Sequence, residues 1–238
     1  MDVSTTSSTP RSRRERPAKP ALSVPGIVAA AVKIMRSEGL ERVTMRRLAQ
    51  ELDTGPASLY VYFRNTAELH AAVLDELLSE VDLTSAAAQG DWRERLLQIL
   101  SSYIEVLYAH PSLARSALVA RPRGEHYLYL VEGLLSVLRE GGMDNERAAW
   151  ALDLLLQFAT TTAAEHGTRR QAPETREEWA AFTRALRSAG PDRYPHIAAA
   201  ADELVSGTPQ TRLRWSFLVL LNGILTAPAP DTMGRPAD

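Results

Sequence analysis

Apolar residues recur every three or four positions along most of this chain, and strand-like alternation is absent beyond residue 90. Ser23 is a good N-cap, Pro25 sits in the first turn, and Ile27, Ala30, Ala31, Ile34 and Met35 follow at core spacing until Gly39 closes the helix. Thr44 caps a second, short helix whose inner face is Leu48, Ala49 and Leu52. Asp53, Thr54 and Gly55 break it, and Pro56 opens a third helix with Leu59 and Phe63 turned inward. Asn65 and Glu68 form a capping pair for a long fourth helix that carries Leu69, Ala72, Val73 and Leu77 and connects two domains. After a small-residue break over residues 84–90, the spacing predicts helices at 91–109, 111–120, 125–140, 145–166, 175–188, 194–205 and 210–225. Gly141-Gly142, Gly167 through Pro173, and Gly190-Pro191 read as breaks. The expected fold is all-α.

The run Thr44 to Asn65, TMRRLAQELDTGPASLYVYFRN, reads as a helix-turn-helix. With Leu59 and Phe63 inward, Ala57, Ser58, Tyr60, Val61 and Tyr62 face largely outward. A solvated helix face normally carries Lys and Glu, whereas small, hydroxylated and aromatic side chains suit a helix lying in a DNA major groove. Thr44, Met45 and Arg46 stand at the N-terminal end of the second helix, where backbone N–H groups and an Arg can meet a phosphate or a base edge. An ordinary helical hairpin has the same apolar period, so periodicity alone does not separate the two.

The order of pieces from Ser23 to Leu69 does separate them. An apolar helix ends in Glu38-Gly39-Leu40, then come Val43-Thr44-Met45-Arg46-Arg47-Leu48-Ala49, Ser58-Leu59-Tyr60-Val61-Tyr62-Phe63, and Asn65 opening a long helix. This run resembles the DNA-binding domain of the TetR family of one-component repressors. The resemblance implies that Arg46, Pro56, Ala57, Ser58, Tyr60 and Tyr62 contact DNA. Many members carry Lys just after the Asn of the fourth helix; here that residue is Thr66, so the phosphate contact is lost or moves to Arg64.

Charge sharpens the picture. The net charge is −2, yet residues 1–66 hold eleven Lys or Arg against six Asp or Glu, and the remainder holds sixteen against twenty-three. A basic head at +5 on a body at −7 presents one end to a polyanion. Residues 1–22 are almost free of apolar side chains and are expected to be a disordered basic arm, carrying Arg11, Arg13, Arg14, Arg16 and Lys19. Such an arm either lies in a minor groove or only solubilises the chain. The absence of cysteine removes disulfides and thiolate metal sites. No apolar run is long enough to cross a bilayer and the N-terminus lacks a secretory h-region, so a cytoplasmic location with no membrane partner is expected.

The C-terminal half is similar to the regulatory domain of the tetracycline repressor of the same family. Ala117 to Pro122, the helix from Trp150 to His166, and the stretches Leu213 to Phe217 and Asn222 to Leu225 carry that likeness. It implies a homodimer joined through the last helices. Leu213, Phe217, Leu220, Leu221 and Ile224 make one broad apolar face there, which either meets a second subunit or packs within one. The expected domains are residues 23–69 for DNA, 70–226 for effector binding and dimerisation, and 227–238 as a flexible tail.

Polar groups inside apolar helices are the candidates for a ligand site: Gln157, Thr160, Thr161, Thr162 and His166, with Tyr103, Tyr127 and Trp150. Each also has an ordinary structural use, a Thr bonding its own helix or a Tyr in the core with a satisfied hydroxyl. The tetracycline repressor carries a His-Leu-Gly-Thr-Arg-Pro run whose histidine ligates the drug-bound metal. The matching run here is Ala117-Leu118-Val119-Ala120-Arg121-Pro122, so both Ala117 and Ala120 lack the ligating and hydrogen-bonding groups. With Trp150 and Phe158 this favours a larger, mostly apolar effector and no metal or cofactor. His70, His110, His126, His166 and His196 are scattered, with no metal-protease, nucleophile-elbow or phosphate-loop motif. The reading is a ligand-released repressor on a double-stranded DNA operator; the alternatives are a helical ligand-binding protein or an enzyme with no DNA role.

Overall fold

The computed structural model describes residues 21–118, 122–171 and 175–227, with no side-chain description for 168–171 and 175. Eleven α-helices and no strand occur among them: α1 (Val24–Glu38), α2 (Met45–Glu51), α3 (Pro56–Leu59), α4 (Thr66–Leu78), α5 (Trp92–Ala109), α6 (Pro111–Ala117), α7 (Glu125–Glu140), α8 (Asn145–Gln171), α9 (Thr175–Arg187), α10 (Pro195–Val205) and α11 (Pro209–Thr226). Most of the expected spans hold within a residue or two. Residues 1–20, 119–121, 172–174 and 228–238, which include most of the basic arm, Ala120 and nearly all of the tail, lie outside the described residues.

Side-chain caps set the helix starts. Ser23 Oγ accepts the Gly26 N–H at 3.3 Å, Thr44 Oγ1 the Arg47 N–H at 3.2 Å, and Asn65 Oδ1 the Glu68 N–H at 2.9 Å. Glu68 reaches back in turn and accepts the Arg64 N–H at 2.8 Å. The α2 end differs from expectation in detail. Asp53, at φ +47°, takes the left-handed position, while Gly55 is extended at φ −82°. Thr54 N–H then reaches the Ala49 carbonyl and Asp53 N–H that of Gln50, a paired backbone cap that ends α2 abruptly.

Ile27, Ala31, Leu48, Leu59, Leu69 and Val73 are fully buried and fuse α1–α4 into one small core. The expected boundary after residue 69 falls inside α4, whose Leu74, Leu77 and Leu78 join the same apolar cluster as the larger bundle of α5–α8. Buried Arg95 holds the small-residue break against that bundle. Its Nε donates to the Ser85 carbonyl at 2.9 Å, its Nη2 to the Ala86 carbonyl at 2.6 Å, and it pairs with Glu140.

One expectation fails here. Gly167 was expected to break a helix, yet α8 runs through it to Gln171. A Cβ at Gly167 would stand 2.4 Å from the Cβ of Pro111, so this glycine lets α6 and α8 approach closely. On α11, Phe217 and Leu221 are fully buried within the subunit, and Leu213, Leu220 and Ile224 are half-buried against the same core. That face is covered by α8, where Phe158 meets Phe217 edge-on at 5.3 Å, and it is not the free surface of the helix. The exposed apolar residues are instead Trp215 and Val219 on α11 with Trp150 and Leu154 on α8.

Candidate nucleic-acid interface and effector cavity

The reading element is shorter than a full helix: α3 is one turn, and Tyr60 to Tyr62 continue it as a turn bonded to the Leu59 carbonyl. β-branched and aromatic residues in succession are weak helix formers, and the burial of Leu59 and Phe63 on either side holds the segment in place. Pro56 and Ala57 are exposed and Ser58 half-buried, while Tyr60 is 55 % and Val61 81 % exposed. An apolar and aromatic face left uncovered at this level marks a binding surface.

The neighbouring side chains divide by role. Arg46 and Thr44 are exposed at the start of α2, beside Arg64 and half-buried Thr66 at the start of α4. Met45 is 4 % exposed, so its side chain belongs to the core and its backbone is what it offers at the helix end. Tyr62, 37 % exposed, uses its hydroxyl to donate to the Leu22 carbonyl at 2.8 Å, which fixes the point where the N-terminal arm leaves the domain. Arg47 is tied up as well. It meets Glu38 at 2.5 Å and Glu51 at 3.1 Å, and Lys33 meets Glu51 at 2.8 Å. The Arg47 guanidinium holds the Glu38 carboxyl below its ordinary range. This network clamps α1 to α2 and leaves Arg46 as the cation presented outward, a distinction the adjacent pair of arginines does not display in sequence.

A cavity of about 490 Å³ opens among α5–α8. Of the expected ligand residues, Tyr103, Ala117, Tyr127, Gln157 and Thr161 line it, with Thr160. Four others do not. Phe158, Thr162 and His166 face a second recess of about 280 Å³ between α5, α8 and α11, where His166 stacks on Tyr108 at 4.3 Å. Trp150 lines neither and is 57 % exposed. The helical period of α8 separates the first three, because positions 149, 152, 153, 156, 157, 160 and 161 share one side and 158, 162, 165 and 166 another, whereas Trp150 stands on the stripe of Gln157 and Thr161 but two turns before Gln157. Sequence reasoning missed Leu118, Pro122, Leu128, Val131, Ala149, Leu152, Asp153 and Leu156. Extending the helical period back from Gln157 would have found the α8 members.

At the inner wall, the buried hydroxyls of Tyr103 and Thr160 bond each other at 2.8 Å. Burial pushes the Tyr103 phenol up to about 12, so it stays protonated. At the cavity mouth, the segment before α7 is bonded to α4. Asp75 accepts the Tyr127 N–H at 3.0 Å, and a Cβ on Gly124 would lie 2.0 Å from the Asp75 carboxylate. Arg123 meets Glu68 at 2.7 Å, and Glu68 is the residue that accepts the Arg64 N–H behind the reading turn. That backbone bond is the main reason its carboxyl stays below the ordinary range. An ion pair and a backbone bond thus lead from Arg123, next to Pro122 of the cavity wall, through Glu68 to Arg64.

Residues 27–73 match the family of bacterial regulatory proteins named for tetR, and residues 84–227 match the tetracycline repressor-like C-terminal domain. A solved protein of Streptomyces, SCO7704, is 57 % identical with a TM-score of 0.75, covering 92 % of this chain and 100 % of its own. ActR of Streptomyces coelicolor, solved in complex with actinorhodin, is 32 % identical with a TM-score of 0.77, covering 87 % of this chain and 96 % of its own. The transcriptional repressor DrrR1 of Streptomyces coeruleorubidus is 27 % identical over 197 residues, which span 80 % of this chain and 73 % of that protein. With an exposed helix-turn-helix at one end and a cavity-bearing helical body behind it, this chain belongs to the TetR family of DNA-binding transcription regulators.

Proposed function

We propose that the protein is a homodimeric repressor of the cytoplasm that leaves a palindromic operator when a small molecule enters the cavity among α5–α8. The observation that carries this reading is the ion pair and backbone bond that lead from Arg123, next to the cavity wall, through Glu68 to Arg64, beside the uncovered face at Tyr60 and Val61. A ligand acts there by binding the DNA-incompetent arrangement more tightly than the DNA-bound one. Trp150, Leu154, Trp215 and Val219 supply an apolar strip for a second subunit. The complex of ActR with actinorhodin and the repressor DrrR1 support effector binding and repression respectively. Selection from a random duplex pool is expected to return palindromes that hold two chains each. Enrichment of nothing above background would overturn the DNA-binding reading.

Deleting residues 1–20 is expected to weaken operator binding chiefly through charge. Its five basic residues can neutralise up to five phosphates, so the log–log salt slope should flatten by as much as roughly 4. A truncated protein with the full slope makes the arm a spacer only.

Magnesium–tetracycline is not expected to act as effector. Ala117 lies in the cavity wall and its methyl offers no lone pair to a hard cation, which wants oxygen or imidazole partners. Titration calorimetry checks this; micromolar, metal-dependent binding that also releases DNA would show that the run at Ala117 has been matched wrongly.

A further inference from the structure

The cavity wall combines aliphatic side chains, among them Leu118, Val131 and Leu156, with polar ones that include Asp153, Gln157 and the Tyr103–Thr160 pair. Tyr103 on α5 and Thr160 on α8 are both nearly fully buried there, and Tyr127 lines the same space close enough to act electrostatically on Tyr103. Each hydroxyl carries one hydrogen and two lone pairs. The Tyr103–Thr160 bond uses one of the two hydrogens, whichever group donates. Ser216 and Thr226 donate to carbonyls of their own helix, whereas Thr160 bonds across to Tyr103. One O–H of the pair is therefore left over at the cavity surface. A spare lone pair in such a place is tolerated, but a buried hydrogen without an acceptor is not.

We propose that the Tyr103–Thr160 pair is the recognition point for an uncharged carbonyl oxygen, so that the effector is a neutral ketone-type compound with an apolar body. The assignment rests on the reading of this cavity as the effector site. A cavity of about 490 Å³ takes a ligand of several rings. A carboxylate is a poorer occupant, because the described lining residues include no Lys, Arg or His to replace its hydration. The pair does not change its protonation state over the physiological range, since the Tyr103 phenol sits near 12.

Fluorenone and fluorene test this, for they share a tricyclic body and differ in one carbonyl. Binding of both to the full chain is measured by quenching of tryptophan fluorescence, and the carbonyl stretch of bound fluorenone by infrared difference spectroscopy. Fluorenone is expected to bind about tenfold tighter than fluorene, as one net hydrogen bond implies, with its stretch moved to lower wavenumber. In Tyr103→Phe combined with Thr160→Val, the preference and the infrared shift should both vanish while fluorene binds as before. Each single variant removes one hydroxyl at nearly constant volume and serves as the control for folding, checked by circular dichroism. Equal binding of the two probes to the unaltered protein, or a preference that survives the double variant, overturns the recognition point and leaves the effector cavity standing. Binding of neither probe overturns the recognition point and the cavity reading together.

Discussion

Tyr60→Ala is expected to weaken operator binding by roughly five- to a hundred-and-fiftyfold, the range that loss of one good base contact of about 1–3 kcal/mol implies. The reason lies in what Tyr60 does not do. Its side chain takes no part in the core formed by Leu59 and Phe63, and it stands more than half exposed at the end of α3. Truncation therefore removes a surface group without opening a cavity, and the melting temperature should stay within about a degree of the parent, as for ordinary surface changes. Ser58→Ala should act in the same direction and by less, because Ser58 is half-buried and reaches less far. Fluorescence anisotropy on a selected palindrome measures both. Full operator affinity in Tyr60→Ala and Ser58→Ala alike would remove this segment from the DNA interface.

Phe217→Ala is expected to be the most damaging single change to stability, at about 3–5 kcal/mol. Phe217 has no exposed surface, and its ring meets Phe158 edge-on where α11 closes over α8. Few groups are placed to collapse into the space, since Leu221 beside it is itself fully buried. For a chain of this length the loss corresponds to a melting temperature lower by roughly 6–20 °C. Calorimetric scans of both proteins at one protomer concentration are needed, because dimerisation makes the midpoint depend on concentration. The same scans on Trp215→Ala separate the two faces of α11. Trp215 is 66 % exposed on a single subunit, so its removal should disturb association far more than the subunit core. A drop of only a degree or two in Phe217→Ala would mean that α11 is held from elsewhere.

The division of labour between Phe217 and Trp215 was not legible from the chain alone. The helical period marks Leu213, Phe217, Leu220, Leu221 and Ile224 as one apolar stripe, but it carries no record of which neighbour covers the stripe. The structure assigns that face to the subunit's own α8 and leaves Trp215 and Val219 outside. The two adjacent arginines make the same point at smaller scale. Arg46 and Arg47 are alike in sequence, and only the placement of Glu38 and Glu51 beside Arg47 makes it a clamp between helices.

What the sequence determined by itself is what acts within about one helical turn. Ser23, Thr44 and Asn65 start helices because a short polar side chain reaches an N–H three residues on, and those caps are in place at Gly26, Arg47 and Glu68. Apolar spacing placed α7 at Glu125–Glu140 and turned Leu59 and Phe63 inward, leaving Tyr60 and Val61 outside. The family resemblance then followed from the order of those local pieces. The tertiary structure alone decided the rest. Gly167 has the local preference of a helix breaker, yet it sits inside α8 because Pro111, fifty-six positions earlier in the chain, occupies the space a side chain would need. Tyr103 and Thr160 meet across 57 positions of sequence, and Trp150 lies outside the cavity although it shares the helical stripe of Gln157 and Thr161. A cavity is the volume left when distant helices pack, and packing depends on the summed shapes of all of them. Local backbone preference reaches only a few residues, so it can name the helices that bound such a space but not the side chains that face it.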